Sequence, residues 1–266
     1  MTDARKSILI TGAASGMGRA TALLFAERGW FVGGYDRDRA GLDSLAVEIG
    51  DGLFETLDVT DAGAFAATAA AFGERTGGTL DLLFNNAGIA LGGTIEAMPW
   101  DDIARIIQVN VLGVIAGVRA CLPFLRATPG SLCLNNSSSS AIFGSAGVSV
   151  YSASKHAVRG LTEALSMEFK RYGVRAADLL PGLVDTPLLG DELRALAPPD
   201  GMWRLVPPRE VAETVWRAYG EDRLHWFIPE ELREFQLSAV AEPERTRDER
   251  AAIFDMFQSM KAGKAA

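Results

Sequence analysis

Cysteine is nearly absent from this chain, with two thiols in 266 residues. Cys121 and Cys133 stand in apolar surroundings without metal-ligand spacing, which leaves two buried free thiols, no disulfide framework and no metal site. Positive charge is also in short supply, because 26 Lys and Arg face 34 Asp and Glu for a formal net charge of -8. Nucleic acid and anionic membranes require clustered basic residues, so neither is an expected partner, and a strongly acidic substrate is disfavoured. The opening residues MTDARKS lack the apolar core of a signal peptide. Charge or Gly interrupts the apolar segments before any reaches a membrane-spanning length, so a cytoplasmic protein is expected. Disorder is excluded by the 48% hydrophobic content, which supplies a substantial core.

What is present alternates. Apolar runs at Ser7–Ile10, Trp30–Val32, Leu53–Leu57, Leu80–Phe84, Ser131–Asn135, Val174–Leu180 and Leu224–Ile228 predict strands. Helical patterns lie between them, the longer ones around 101–126, 151–171 and 208–220. Strand and helix in alternation, with few hairpin signals, predict an α/β fold: a doubly wound parallel sheet of Rossmann type with helices on both faces. No linker-like shift in composition divides the chain, so one domain over 1–266 is expected. It would carry a variable loop at about 188–207 and a polar, helical tail at about 230–266 whose end, Lys261–Ala266, frays.

The first strand runs into Thr11-Gly12-Ala13-Ala14-Ser15-Gly16-Met17-Gly18 and then a helix, the junction where a doubly wound sheet receives a dinucleotide. Gly12 permits the tight turn, while Gly16 and Gly18 let the backbone approach a pyrophosphate resting on the helix N-terminus. About twenty residues past this fingerprint stands Asp36, whose carboxylate would accept hydrogen bonds from the adenosine ribose and repel a 2'-phosphate. NAD is therefore expected over NADP. Arg37 is the counter-argument, since a guanidinium beside the ribose could bind that phosphate.

Tyr151 and Lys155 are four residues apart at the start of a helical pattern, which places phenol and ammonium on one face. Two charges about 4 Å apart at an effective dielectric of about 20 interact by about 4 kcal/mol. That would bring a phenol from about 10 towards neutrality and make Tyr151 a general acid or base.

With these residues in view, the sequence resembles the short-chain dehydrogenases/reductases. Thr11–Gly18 matches the family's TGxxxGxG, Asn85-Asn86-Ala87-Gly88 its NNAG, Tyr151–Lys155 its YxxxK, and Pro181–Thr186 its PG-x-V-x-T. Asp58-Val59 match the adenine-side pair, and Asn110 the active-site asparagine. The resemblance runs over about residues 7–228 and implies hydride transfer between nicotinamide and a carbonyl or alcohol carbon. It implies catalytic roles for Ser138, Tyr151, Lys155 and Asn110. The implied cofactor contacts are Gly12, Ser15, Gly16, Met17, Gly18, Asp36, Arg37, Asp58, Val59, Asn86, Ala87, Gly88, Tyr151, Lys155, Pro181, Gly182, Val184 and Thr186. Thr186 and the Val184 backbone would hold the carboxamide.

The same resemblance picks one residue from NNSSSSAIFGSAG, because the family's serine stands thirteen residues before the tyrosine, at Ser138. Ser137 is the neighbouring candidate, and a strand end cannot aim both at one site. Ser139 and Ser140 would line the entrance. Asn110 would break its helix locally and hold a water connecting to Lys155. Two departures stand out: Asn136 occupies a usually apolar strand position, where an unpartnered amide costs about 1–3 kcal/mol, and Ala141 replaces a common Gly.

The substrate pocket is expected from Ile89–Thr94, Ser140–Val148 with Phe143 as a wall, and a lid at Leu188–Pro207. Its apolar residues favour a small hydrophobic secondary alcohol or ketone. Arg194 and Arg204 could reach a substrate carboxylate but read as solvated. An acyl carrier is disfavoured by net acidity. A non-catalytic dinucleotide sensor would typically have lost Tyr or Lys, and an epimerase or dehydratase would carry a larger C-terminal domain. A homodimer or homotetramer is implied, through Val109–Leu125 and the apolar positions of Ala157–Phe169.

Overall fold

The computed structural model describes residues 5–265, so the first four residues and Ala266 lie outside it. Seven strands form one parallel sheet: β1 (Ser7–Thr11), β2 (Phe31–Asp36), β3 (Gly52–Thr56), β4 (Leu82–Asn85), β5 (Leu132–Asn136), β6 (Arg175–Pro181) and β7 (His225–Ile228). Their order is β3-β2-β1-β4-β5-β6-β7. The crossovers are α1 (Gly16–Glu27), α2 (Arg39–Ile49), α3 (Ala62–Arg75), α4 (Trp100–Ile107) with α5 (Gly113–Arg126), α6 (Ser149–Glu168) and α8 (Pro208–Gly220). A short α7 (Asp191–Leu196) lies beyond β6, and α9 (Leu232–Ala241) and α10 (Pro243–Ala265) follow β7.

Parallel strands covered on both faces have no solvent side, and β1, β4 and β5 are buried at every position. Alternate side chains feed two cores. Ile8 and Ile10 join Phe25, Leu42 and Trp226 on one face, while Leu9 joins Phe65, Phe72, Leu83 and Cys133 on the other. Two helix starts are set by single carboxylates: Asp38 accepts from the Gly41 N–H at 3.1 Å and Asp61 from the Ala64 N–H at 2.9 Å. Both cysteines are buried and free, as expected.

The helix from Trp100 to Arg126 corrects one expectation. By length and composition it could cross a membrane, so not every apolar segment is interrupted. Here Val109, Val114, Val118, Cys121 and Leu125 lie in the protein's own core. A π-helical turn at Gln108–Leu112 breaks its regularity around Asn110, as the resemblance implied. The tail is helical too, reaching Ala265; the side chains of 261–266, where fraying was expected, lie outside the described residues.

The order of strand addition reverses between β1 and β4, so the loops beyond their C-terminal ends diverge and leave a crevice. The functional residues gather there.

Candidate active site

The glycine-rich turn sits in that crevice with Gly12 at φ 69° and Gly16 at φ 53°, conformations that favour glycine. A Cβ on Gly16 would meet Thr186 at 2.9 Å, so the loop after β6 closes onto the first turn. Thr11 ties in the loop after β4: its hydroxyl accepts from the backbone N–H groups of Asn86 and Ala87, each at 3.1 Å. The Asn86 amide reaches back to the carbonyls of Thr11 and Gly12 at 3.0 and 3.2 Å. A cavity of about 1200 Å³ starts here and contains every expected cofactor contact except Gly18. Gly18 instead lets α1 pack on the turn, since a Cβ there would stand 2.0 Å from the Gly12 carbonyl oxygen.

At the far end of the cavity Asp36 accepts from the backbone N–H groups of Ala14 at 3.0 Å and Asp38 at 3.1 Å, which fixes its carboxylate beside Arg37. The Arg37 guanidinium turns towards Asp58, 3.8 Å away. Hydrogen bonds from the Thr60 backbone N–H and hydroxyl hold the Asp58 carboxyl below the usual carboxylate range, and Arg37 adds to the effect.

The serine run divides as alternation requires. Ser137 is consumed structurally, its hydroxyl donating to the Lys155 carbonyl at 2.9 Å. Ser138 lines the cavity beside Tyr151, and its hydroxyl acts to lower the phenol's pKa. Its oxygen also accepts from the Ser140 N–H at 3.1 Å, which orients it. Lys155 enters from α6 and donates from Nζ to the Asn136 carbonyl at 2.8 Å. Burial lowers its ammonium pKa to about 8. Tyr151 differs from the expectation: burial pushes the phenol up, the Ser138 hydroxyl lowers it only in part, and Lys155 Nζ sits 5.6 Å from the ring centre. The ammonium is anchored on a backbone carbonyl rather than on the phenol.

Asn110 stands behind this wall and does not line the cavity. It is fully buried, accepts from the Ile89 N–H at 2.9 Å, and donates to the Ile89 carbonyl at 2.9 Å and the Ser154 hydroxyl at 3.1 Å. Its amide group therefore positions the loop after β4. Asn136 has a partial explanation: its Nδ2 donates to Asn86 Oδ1 at 3.3 Å, while its own Oδ1 is buried without a partner. The glycine cradle and this orphaned acceptor on the cavity wall are what a dinucleotide with polar groups to satisfy would fit.

The cavity continues between Leu188–Leu196, Ser139–Ser140 and Ser145–Val148. Phe143 is not part of its wall and packs beside Ile142, Phe227 and Leu232. Arg194 is held by Asp185 at 3.2 Å and the Thr186 carbonyl at 2.9 Å, and Arg204 by Glu210 at 2.6 Å, so both are tied down rather than solvated. Sequence reasoning missed the opposite wall, formed by Arg250, Ile253, Phe254 and Met256 of α10. The signal was the apolar cluster Ile253, Phe254, Met256, Phe257 and Met260 in a helix whose first half is polar.

Sheet order, glycine cradle and the Ser138, Tyr151 and Lys155 cluster define an oxidoreductase of Rossmann type with a nicotinamide dinucleotide as cofactor. A family model described as short chain dehydrogenase matches residues 6–196. The chain belongs to the short-chain dehydrogenase/reductase family. It is 36% identical over 195 residues to trans-4-hydroxycyclohexanecarboxylate dehydrogenase of Sinomonas cyclohexanicum, covering 70% of this chain and 74% of that one. It is 34% identical over 220 residues to cyclohexanol dehydrogenase of an Acinetobacter species, covering 79% and 86%. Among solved structures it resembles 3-ketoacyl-(acyl-carrier-protein) reductase from Brucella melitensis complexed with NADH, with TM-score 0.76, 32% identity and 84% and 96% of the two chains covered.

Proposed function

We propose that this protein interconverts a cyclic secondary alcohol and its ketone, with NAD rather than NADP as cofactor. The observation that carries the reading is the meeting of Ser138, Tyr151 and Lys155 on the inner wall of the cavity that begins at the glycine cradle. The apolar outer cavity and the cyclic alcohols in the relatives' names support the substrate class. The carboxylate of Asp36 beside an Arg37 turned to Asp58 supports NAD.

Bound along the Gly12–Met17 turn, the cofactor supplies the hydride acceptor. Val184 and Thr186 would hold its carboxamide end, and Asp36, Asp58 and Val59 its adenosine end. Ser138 donates a hydrogen bond to the substrate oxygen, which stabilises charge developing there. Tyr151, beside the same serine on the cavity wall, takes the alcohol proton during oxidation and returns it during reduction. Lys155 keeps a cation behind the tyrosine.

Purified protein, a panel of cyclic secondary alcohols, and NAD or NADP test this by absorbance of the reduced cofactor. NAD should be preferred, and oxidation should accelerate with rising pH, because burial favours the protonated phenol that only reduction can use. Tyr151→Phe should lower turnover by roughly 10²–10⁴-fold with cofactor affinity retained. Full turnover in that variant would overturn the acid-base role, and a preference for NADP would overturn the Asp36 argument.

A further inference from the structure

Among the described residues three arginines line the cavity: Arg37, Arg105 and Arg250. The first two belong to the Asp58 end, where both lower that carboxyl's pKa. Arg250 is the cation of the opposite end, beside Ser145, Gly147 and Trp203. Its setting is unlike that of its neighbours on α10. Arg245 is paired with Glu242 and Glu249, and Arg247 with Asp248, all at the surface. Arg250 has no carboxylate within ion-pair distance among the described residues. Glu192, which lines the same end, is itself partnered.

The Arg250 guanidinium is instead held by neutral groups. Its carbon lies 5.3 Å from the Trp203 ring centre and 5.6 Å from that of Phe235, and one Nη2 hydrogen goes to the Ser145 hydroxyl at 2.8 Å. Nε is buried without a partner, and no other donor of the group has one among the described residues. Ser145 is in turn fixed to the catalytic helix, its N–H donating to Ser152 Oγ at 3.1 Å, one residue from Tyr151. A planar cation has thus been immobilised at a set position from the reacting atoms, with most of its hydrogen-bonding capacity unused. Burial without a counter-ion is costly, and a planar anion that accepts two parallel N–H bonds relieves that cost.

We propose that Arg250 binds a carboxylate of the substrate. The class is then a hydroxy acid and its keto acid, with an apolar body between the carboxylate and the carbinol carbon. This deepens the dehydrogenase reading and rests on it. The net charge of -8 does not oppose it, because the local field at this end of the cavity is set by a half-buried cation rather than by distant surface carboxylates.

Calorimetric titration of the NAD-saturated protein with cyclohexanecarboxylate and with cyclohexanecarboxamide, matched in size, tests the inference without turnover. The carboxylate should bind roughly 10- to 100-fold more tightly, the range for hydrogen bonds to a charged partner. Arg250→Met should bring the two ligands within about twofold, while Arg250→Lys retains part of the preference. Equal affinity in the unaltered protein, no measurable carboxylate binding, or a preference that survives Arg250→Met would each overturn it. An equal loss for both ligands would make Arg250 a structural brace and likewise sink the proposal. The dehydrogenase reading fails separately, by absence of reduced cofactor in the alcohol panel.

Discussion

Lys155 is held charged in a place that resists charge. Its side chain is buried and its ammonium leans on the Asn136 carbonyl, so its pKa falls to about 8, against about 10.4 in an unfolded chain. The sign follows from proton counts. Between these values the unfolded chain binds the proton and the folded chain has released it, so stability rises with pH across that window. Below about 8 the full cost of burying the charge applies, about 3 kcal/mol. Lys155→Met should therefore be more stable than the unaltered protein near pH 7, and the difference should shrink towards pH 10. Thermal melts of both at several pH values check this, and parallel curves would contradict it. A residue that weakens the fold at working pH is retained by what it does in the site.

At the scale of elements, the turn between β1 and α1 was legible because its backbone dictates its residues. Gly12 and Gly16 supply positive φ, and Gly18 supplies contact between helix and turn. Gly18→Ala should cost roughly 1–3 kcal/mol through overpacking against the Gly12 carbonyl and weaken NAD binding with it. Unchanged thermal stability would show that the turn can yield. Strand existence was equally legible, since runs such as Leu132-Cys133-Leu134 have no solvent side to alternate with. Other features were not. The split of labour between Ser137 and Ser138 required strand direction, and only the family's spacing supplied it. The loss of Phe143 from the cavity depended on a small cluster formed with β7 and α9, elements far away in sequence. The wall from α10 was hidden for a related reason: its polar surface dominates its pattern, and it lies beyond residues 6–196, where the family likeness is found.

For the molecule as a whole, the surfaces expected to self-associate are only partly free. Val114, Val118, Cys121 and Leu125 of α5 are spent on the protein's own core, and Leu122 packs against it, leaving Leu112, Ile115 and Arg119 with exposed surface. On α6 the outward positions include the small residues Ala153, Ala157 and Gly160, which would let a second copy approach closely, and the exposed apolar Met167. A homodimer or homotetramer through these faces should be reduced to monomer by Gly160→Arg, which places a long cation where nothing else lies within 4 Å. Light scattering at several concentrations reads the outcome, and an unchanged mass would place the contact elsewhere.

The cavity runs from Asp36 and Asp58 at one end, past the Gly12 turn, to Arg250 and Phe254 at the other, so its ends come from distant parts of the chain. Its two halves are therefore built from separate segments of the chain. The cofactor's half rests on the loops after β1, β2 and β3, whereas the outer half is closed by α10. Exchanging that single helix between relatives offers a route to new substrate scope that leaves Ser138, Tyr151 and Lys155 untouched.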